Sequence, residues 1–282
     1  MAVTTSTLTQ ELYANIVQSA LYTLSENTII RPVVRNYDMT GTPGLVAQVP
    51  IYPALSASGL TEGTDISTPT SFDTTSKTIT AAEVGVLVTL TDLSKESASE
   101  DVAAAIGRQI GDAMAVKVDT DLAALFSGFS NVVGSGAREL TVEDFFKAAA
   151  ILRNNKAPGP YVSVIHPYHA FQIKKQLTNA GGVPMSHNLS DVGNVALRDG
   201  FVGRIAGIDI FESTVISGDS AGAFVGGVMS QDALGYMVKR GMRIEEQRDA
   251  SLRATEIVGS MAYGVSEIFD AYGVQLLGDA QL

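Results

Sequence analysis

Residues 218 to 222 read Gly-Asp-Ser-Ala-Gly, the literal G-x-S-x-G spelling of a serine nucleophile. In that chemistry a sharp turn between a strand and a helix presents the serine hydroxyl to an acyl carbon, and a histidine takes its proton. Here the run that follows, Ala223 to Met229 (AFVGGVM), is strand-like, and the last histidine, His187, precedes Ser220. With histidine before serine, His166, His169 or His187 would have to act as base within paired β-barrels, which the pattern does not offer. A turn between two strands accounts for Asp219, Ser220 and the glycines more simply. His166 and His169 could share a metal ion, but no Asp or Glu stands at a third-ligand spacing. Gly134-Ser135-Gly136 lacks the third glycine of a dinucleotide fingerprint and reads as a linker. Asp119 and Asp121 are two apart, so a helix turns them to different faces. The expectation is a chain with no catalytic, cofactor or metal residues.

Composition points the same way. Cysteine is absent, which removes disulfides, thiol nucleophiles and Cys-based zinc sites together. Charged residues make up 17% of the 282, against about 25% in an ordinary soluble domain. A surface poor in charge suits a protein whose faces are covered by neighbours. Net charge is −11, without the basic bias with which nucleic-acid binders neutralise phosphates. The N-terminus MAVTTSTLTQ has no basic and apolar signal pattern, and no run approaches the ~20 apolar residues of a membrane span. A soluble protein, made in a cytoplasm and without a membrane partner, is expected.

The elements themselves are more telling. Thr7 to Ser25 has amphipathic helical spacing at Leu8, Leu12, Ile16, Ala20, Leu21 and Leu24. Ile29 to Val34 reads as extended, because a residue before proline avoids helix. Val46 to Pro53 and Ser76 to Asp92 read as two strands around a Ser/Thr/Gly-rich tip, ALSASGLTEGTDISTPTSFD. At about 3.3 Å per residue the return strand alone would reach roughly 50 Å. A hairpin that long is marginal in water and its edges invite pairing, so it must lie on something, most simply another copy of the chain.

Ser97 to Ser127 reads as one long helix, with Val102, Ile106, Ile110, Met114, Val118 and Leu122 every fourth residue. That step overshoots a turn by about 40°, so the stripe wraps around the helix and meets several elements. Gly107 and Gly111 inside it point to close backbone contact. Thr141 with Asp144 opens a helix to Asn155, Tyr161 to His166 is a short buried strand, and Pro167 starts a helix to Leu177. Gly181 to Asn194 is a polar loop, Phe201 to Thr214 two strands joined at Gly207, and Ala223 to Met229 another strand. From Leu234 the chain alternates again as antiparallel strand. The first domain is therefore discontinuous, interrupted by an α+β insert.

That order of parts resembles the major capsid proteins of tailed bacteriophages, the Hong Kong 97-type shell fold that encapsulins share. AMAVKVDTDLAALFSG, with Asp119 and Leu122, is similar to the end of the family's spine helix. YVSVIHPYHAFQIKK is similar to its axial-domain strand, proline and helix, and GRIAGIDIFESTVI to the strand pair that follows. The resemblance covers essentially the whole chain. It implies an α+β fold with an N-terminal arm (1–45), an extended β-hairpin loop (46–93), a peripheral domain of spine helix and antiparallel sheet (94–134 and 233–282) and an inserted axial domain (135–232).

It also implies hexamers and pentamers forming an icosahedral shell around double-stranded DNA in the virion, each extended loop lying across a neighbour. The acidic balance fits a wall along which packaged DNA slides. An encapsulin-type protein compartment is the alternative within the fold, and a serine hydrolase using Ser220 the alternative outside it. Some family members join a loop lysine to an asparagine near the end of the peripheral domain. Here Lys77 is the hairpin's one lysine and no asparagine follows Asn194, so locking is expected to be non-covalent or to use a cementing protein. A portal is implied, and with no long helical prefix after Met1 a separate scaffolding protein is expected.

Candidate subunit-contact residues are Tyr52, Leu60, Phe72, Lys77 and Ile79 on the hairpin, and Arg240, Arg243, Glu245, Glu246, Arg248, Asp249 and Arg253 in the mixed-charge segment 239–256. That segment is either a solvated face, worth about 0–1 kcal/mol per pair, or a set of inter-subunit ion pairs near threefold positions that sets register.

Overall fold

The computed structural model describes residues 28–53, 72–97, 102–179, 203–216, 218 and 222–279, with residues 20, 23 and scattered positions of the hairpin tip. The expected first helix lies outside the described residues except for Ala20 and Thr23, both helical. The expected loop 181–194, Leu60 and Ser220 lie outside them too.

Two sheets share one chain. The first has strand order β1-β10-β11-β4, with β1 Arg35–Asp38, β4 Ala82–Thr91, β10 Leu234–Asp249 and β11 Ala254–Glu267. Its strands alternate, and one face packs on the long helix α2, Val102–Ala124, which a short helix α1, Asp92–Ser97, precedes. Of the expected helix from 97 to 127, Ser97 and Val102–Ala124 are helical and Leu125–Gly128 is a 3-10 turn; the chain is helical already from Asp92, and residues 98–101 lie outside the described residues. The fourfold stripe does divide between clusters. Ile110 packs with Ala20, Ile244 and Ile257, while Met114, Val118 and Leu122 pack with Ile30, Val34, Tyr236 and Met261. Gly111 is where the helices touch, since a Cβ there would stand 2.5 Å from the Ala20 carbonyl oxygen.

The second sheet has order β5-β12-β9-β6-β8-β7, with β5 Val132–Ser135, β6 Tyr161–Ile165, β7 Arg204–Ile205, β8 Ile208–Glu212, β9 Ala223–Ser230 and β12 Gly273–Asp279. Helices α3, Val142–Asn154, and α4, Pro167–Asn179, cover it. Phe145, Leu152, Ile165, Ile173, Val228, Val274 and Leu276 fill the space between. The capping box is present: Thr141 N–H and Oγ1–H donate to Asp144 Oδ2 at 3.0 and 2.7 Å. Arg138 adds two donors at 2.8 and 2.7 Å. Burial pushes the Asp144 carboxyl up, but the bonds from Arg138 and Thr141 overcome it and hold it at about 2.

Four sequence expectations are revised. Gly134-Ser135 is not linker but part of β5, and Gly134 has φ +98°, with an added Cβ 2.0 Å from the Leu277 carbonyl oxygen. The last strand, β12, pairs with β5 and β9 rather than with β11, so residues 273–279 join the sheet of the inserted lobe. Arg31–Val33 is a 3-10 turn rather than extended, because Asp119 accepts the N–H groups of Ile29 at 2.7 Å and Ile30 at 3.2 Å. The long return strand is two: β3, Thr75–Thr80, pairs with β2, Val46–Ile51, and β4 turns away at Ala81 to pair with β11.

Candidate assembly surfaces

β2 and β3 form a two-stranded ribbon with six residue pairs, Val46 opposite Thr80 through to Ile51 opposite Thr75, about 20 Å of ladder. Its root is anchored. Ile79 is fully buried against Met237 and Ile268 of the same chain, with Ala47 and Val49 beside it, and Ala81 N–H donates to the Leu45 carbonyl at 2.8 Å. Gly264 permits the close approach, since a Cβ there would lie 2.4 Å from the Thr80 oxygen. Ile79 therefore offers no surface to a neighbour: it faces inward because the ribbon's inner face meets β10 at that point.

Beyond the root several of the described apolar side chains are bare. Tyr52 and Phe72 are 64% and 53% exposed and stack on each other, centroids 5.8 Å apart and planes 11° from parallel. Leu55 is exposed as well, and at the root so are Leu45 and Val46. Lys77, opposite Val49, is exposed, and its charge opposes the upward push that burial gives the Glu267 carboxyl. The structure brings Tyr52 and Phe72 together, as the two ends of the strands require.

The charged strand pairs mostly with other elements of its own chain. Arg240 bridges to Glu83 across the sheet, and Arg243 to Glu245 at 2.7 Å. Arg248 grips both oxygens of Asp92 at 2.6 Å. Asp249 is a turn residue, accepting N–H from Ser251 at 2.8 Å and Leu252 at 3.2 Å and the Ser251 hydroxyl at 2.7 Å. Those bonds, the hydroxyl's first, hold its carboxyl below the usual range. Arg253 closes the turn at φ +49°, and its carbonyl accepts Asp92 N–H at 3.0 Å. Glu245, Glu246, Gln247, Glu256 and Val258 line a shallow acidic groove beside them. Glu83 and Asp92 were not singled out by sequence, since nothing local marks them: they become partners only when β4 docks on β11.

Ser220 and His187 lie outside the described residues, and the described enzyme candidates do not form a site. Gly218 bridges to Phe224 and β9 begins at Ala223, so a strand, not a helix, follows the G-x-S-x-G run. His166 stacks on Phe224 at 4.1 Å and accepts Tyr168 N–H at 3.2 Å, whereas His169 is buried at the end of β12. Among the described residues no three of His, Asp and Glu gather as a metal site, and no helix is long and apolar enough to cross a membrane. Asp121 accepts from Lys117 at 2.6 Å and from Tyr263 at 2.6 Å, on a different face from Asp119. The Asp119 role, clamping the turn at 29–31, was missed. Burial raises its carboxyl, and the N–H groups of Ile29, Ile30 and Arg31 pull it back. A carboxylate next to Val118 in an apolar helix stripe was the available signal.

Known structures share this fold. The capsid structure of cyanophage P-SCSP1u superposes with a TM-score of 0.71 at 20% identity, over 90% of this chain and 89% of that one. A chain of Mycobacterium phage Che8 gives 0.71 at 17% identity, over 88% and 90%, and the capsid of Ralstonia phage GP4 gives 0.70 at 12%, over 89% and 88%. No match is found among curated protein sequences. The fold is thus the α+β shell fold of the Hong Kong 97 type. The model of the phage capsid protein family matches residues 51–277, well over half of the sequence, and this chain belongs to that family.

Proposed function

We propose that the protein is a major capsid protein that closes into an icosahedral shell of hexamers and pentamers around double-stranded DNA of a tailed phage, and that it does no catalysis. The observation that carries the reading is the β2–β3 ribbon: its root is packed in its own subunit, while Tyr52, Leu55 and Phe72 face outward. Exposed aromatics on a slender ribbon are stable when a neighbouring protomer covers them. The ribbon is the extended loop of the shell, set across the adjacent subunit. The acidic excess, −11 overall, favours an interior along which DNA moves rather than sticks.

Segments 1–45, 46–93, 94–134 with 233–282, and 135–232 act as arm, loop, peripheral and axial parts, with β4 at the end of the loop segment joining the peripheral sheet and β5 and β12 completing the axial sheet. Tyr52, Leu60, Phe72 and Lys77, with Arg240, Arg243, Glu245, Glu246, Arg248, Asp249 and Arg253, are the proposed contacts to neighbours. Assembly takes place in the host cytoplasm, with a separate scaffolding protein, a portal and non-covalent or cement-assisted locking. Electron microscopy of native particles tests the reading: DNA-filled icosahedra with tails are expected. Shells holding protein cargo, or a monomer whose hydrolytic activity vanishes in Ser220→Ala, would overturn it.

A further inference from the structure

The end of β12 is held by one face of α4. His169 Nε2 lies 3.1 Å from the Gly278 carbonyl oxygen. Gln172 Nε2 donates to the Asp279 carbonyl at 2.8 Å. One turn on, Gln176 Nε2 donates to the Leu140 carbonyl at 2.9 Å while its Oε1 accepts Val142 N–H at 3.3 Å. Positions 169, 172 and 176 share a helix face, so α4 stitches together the last strand and the loop that enters α3. The seam is tight: a Cβ on Gly278 would stand 3.0 Å from His169 Nε2 and 3.2 Å from Leu140 Cβ.

His169 is fully buried. A carbonyl only accepts, so Nε2 carries the hydrogen and Nδ1 is the bare nitrogen of a neutral ring. Among the described residues Nδ1 has no hydrogen-bond partner, and neither has the buried Oε1 of Gln172. We propose that His169 is an acid-opened latch between α4 and the C-terminal strand β12, closed by the neutral imidazole and released when Nδ1 takes a proton from solvent.

A proton on Nδ1 places a second N–H and a full charge where no described acceptor bonds that nitrogen, and both are costly in a buried site. Burial pushes the imidazole below its ordinary 6.5, the Gly278 bond opposes that, His166 adds to it and Asp279 opposes it. From the loop before α3, Arg138 is committed to Asp144 and Glu139 to Lys175 of α4. From β9 the neighbour is uncharged, the Phe224 ring standing edge-on at 6.0 Å. With the folded value lowered, the latch is fully closed above the ordinary value of 6.5 and weakens as pH falls through the folded one. Gly278 also pairs with Ser135 of β5 and Phe224 of β9, so release frays the sheet from that end.

The test is amide hydrogen exchange of the full chain at about pH 7.5 and about pH 5, corrected for intrinsic rates, together with exchange of the imidazole C2–H. Peptides over 273–279 should lose protection at acid pH, about tenfold for each unit by which His169 titrates below its ordinary value. Peptides over 254–267 should hold. His169→Gln, which keeps a donor but cannot be charged, should abolish the acid loss. Should that variant fail to fold, the C2–H titration of the unaltered chain decides, with His169 expected below 6.5. Titration at or above that value overturns the latch. So does protection at 273–279 that stays or rises at acid pH, as it would if the new N–H reached Gln172 Oε1. Full acid loss retained by His169→Gln overturns it as well. None of these outcomes depends on shell formation.

Discussion

Residues 75–80 and 82–91 follow each other in sequence, both are strands, and yet only the second belongs to the body. β3 has β2 as its ladder partner and is exposed except at Ile79. β4 pairs along its whole length with β11, and its alternate residues from Val84 onward turn toward α2. The same contrast separates two ion pairs. Asp144 is wholly buried under Arg138, whereas Arg248 and Asp92 are about half exposed at the sheet tip. Strand propensity and charge type are alike on both sides of each comparison. What differs is whether the chain itself covers the group, and groups left uncovered are the ones available to another subunit.

The largest effect expected from this contrast is at the ribbon root. Ile79→Ala should destabilise the isolated protomer by about 3 kcal/mol, because it opens a cavity beneath Met237 and Ile268. Leu87→Ala, on the exposed face of β4, should stay within about 0.5 kcal/mol. Urea unfolding of both variants measures this. Equal effects would mean that the root is not anchored and the comparison fails at its first step.

Next in size is Asp144→Asn, which weakens the capping box and breaks a buried pair, for about 2 kcal/mol. Since the folded carboxyl titrates at about 2, below its ordinary 3.8, its contribution is complete above the ordinary value and fades as pH falls toward the lower one. Acid unfolding of variant and unaltered chain should therefore converge near the bottom of that window. A gap that stays constant through it would assign the stability to packing rather than charge.

Much of this was legible in the sequence where neighbours along the chain decide the outcome. Thr141 with Asp144 marked the start of α3, Pro167 that of α4, and the step of four from Val102 the wrapping of α2 over two clusters. Gly207 marked the turn between β7 and β8. The failures share a cause: they concern partners far apart in sequence. Alternation over 76–92 identified strand but could not say that Gly264, having no side chain, leaves room for the chain to bend at Ala81. Alternation at the C-terminus likewise could not assign β12 to β9 rather than β11. Arg31-Pro32 obeyed its distant clamp, Asp119, over its local preference. Among the candidate contacts, Tyr52 and Phe72 were recognisable as apolar residues in a polar stretch. Ile79 looked the same, and only the position of β10 buries it.

A smaller effect on folding, with a larger one on assembly, is expected at the ribbon's outer end. The stacked Tyr52–Phe72 pair contributes about 1 kcal/mol to the protomer. Tyr52→Ala with Phe72→Ala should lower unfolding stability by no more than about 1 kcal/mol while abolishing particles in sedimentation and negative-stain images. Normal particle yield would show that these rings are not covered by a neighbour.

The smallest change in stability is expected at Arg248, and it separates the two readings of the charged strand. Its bidentate partner, Asp92, sits in the same chain, so the pair is satisfied before any neighbour arrives, and solvent screens it on both sides. Arg248→Glu should therefore shift protomer melting only slightly, less still in high salt, and Arg248→Glu with Asp92→Arg should restore it. Assembly yield decides the rest. If the strand is a solvated face, the reversed pair assembles as well as the original, because the local charge balance is unchanged. If it meets a neighbour's charges, the swap preserves the internal pair but inverts what the neighbour sees, and assembly falls while melting does not. A fall in melting that the swap cannot restore would instead place Arg248 among the anchored groups, on the Asp144 side of the comparison.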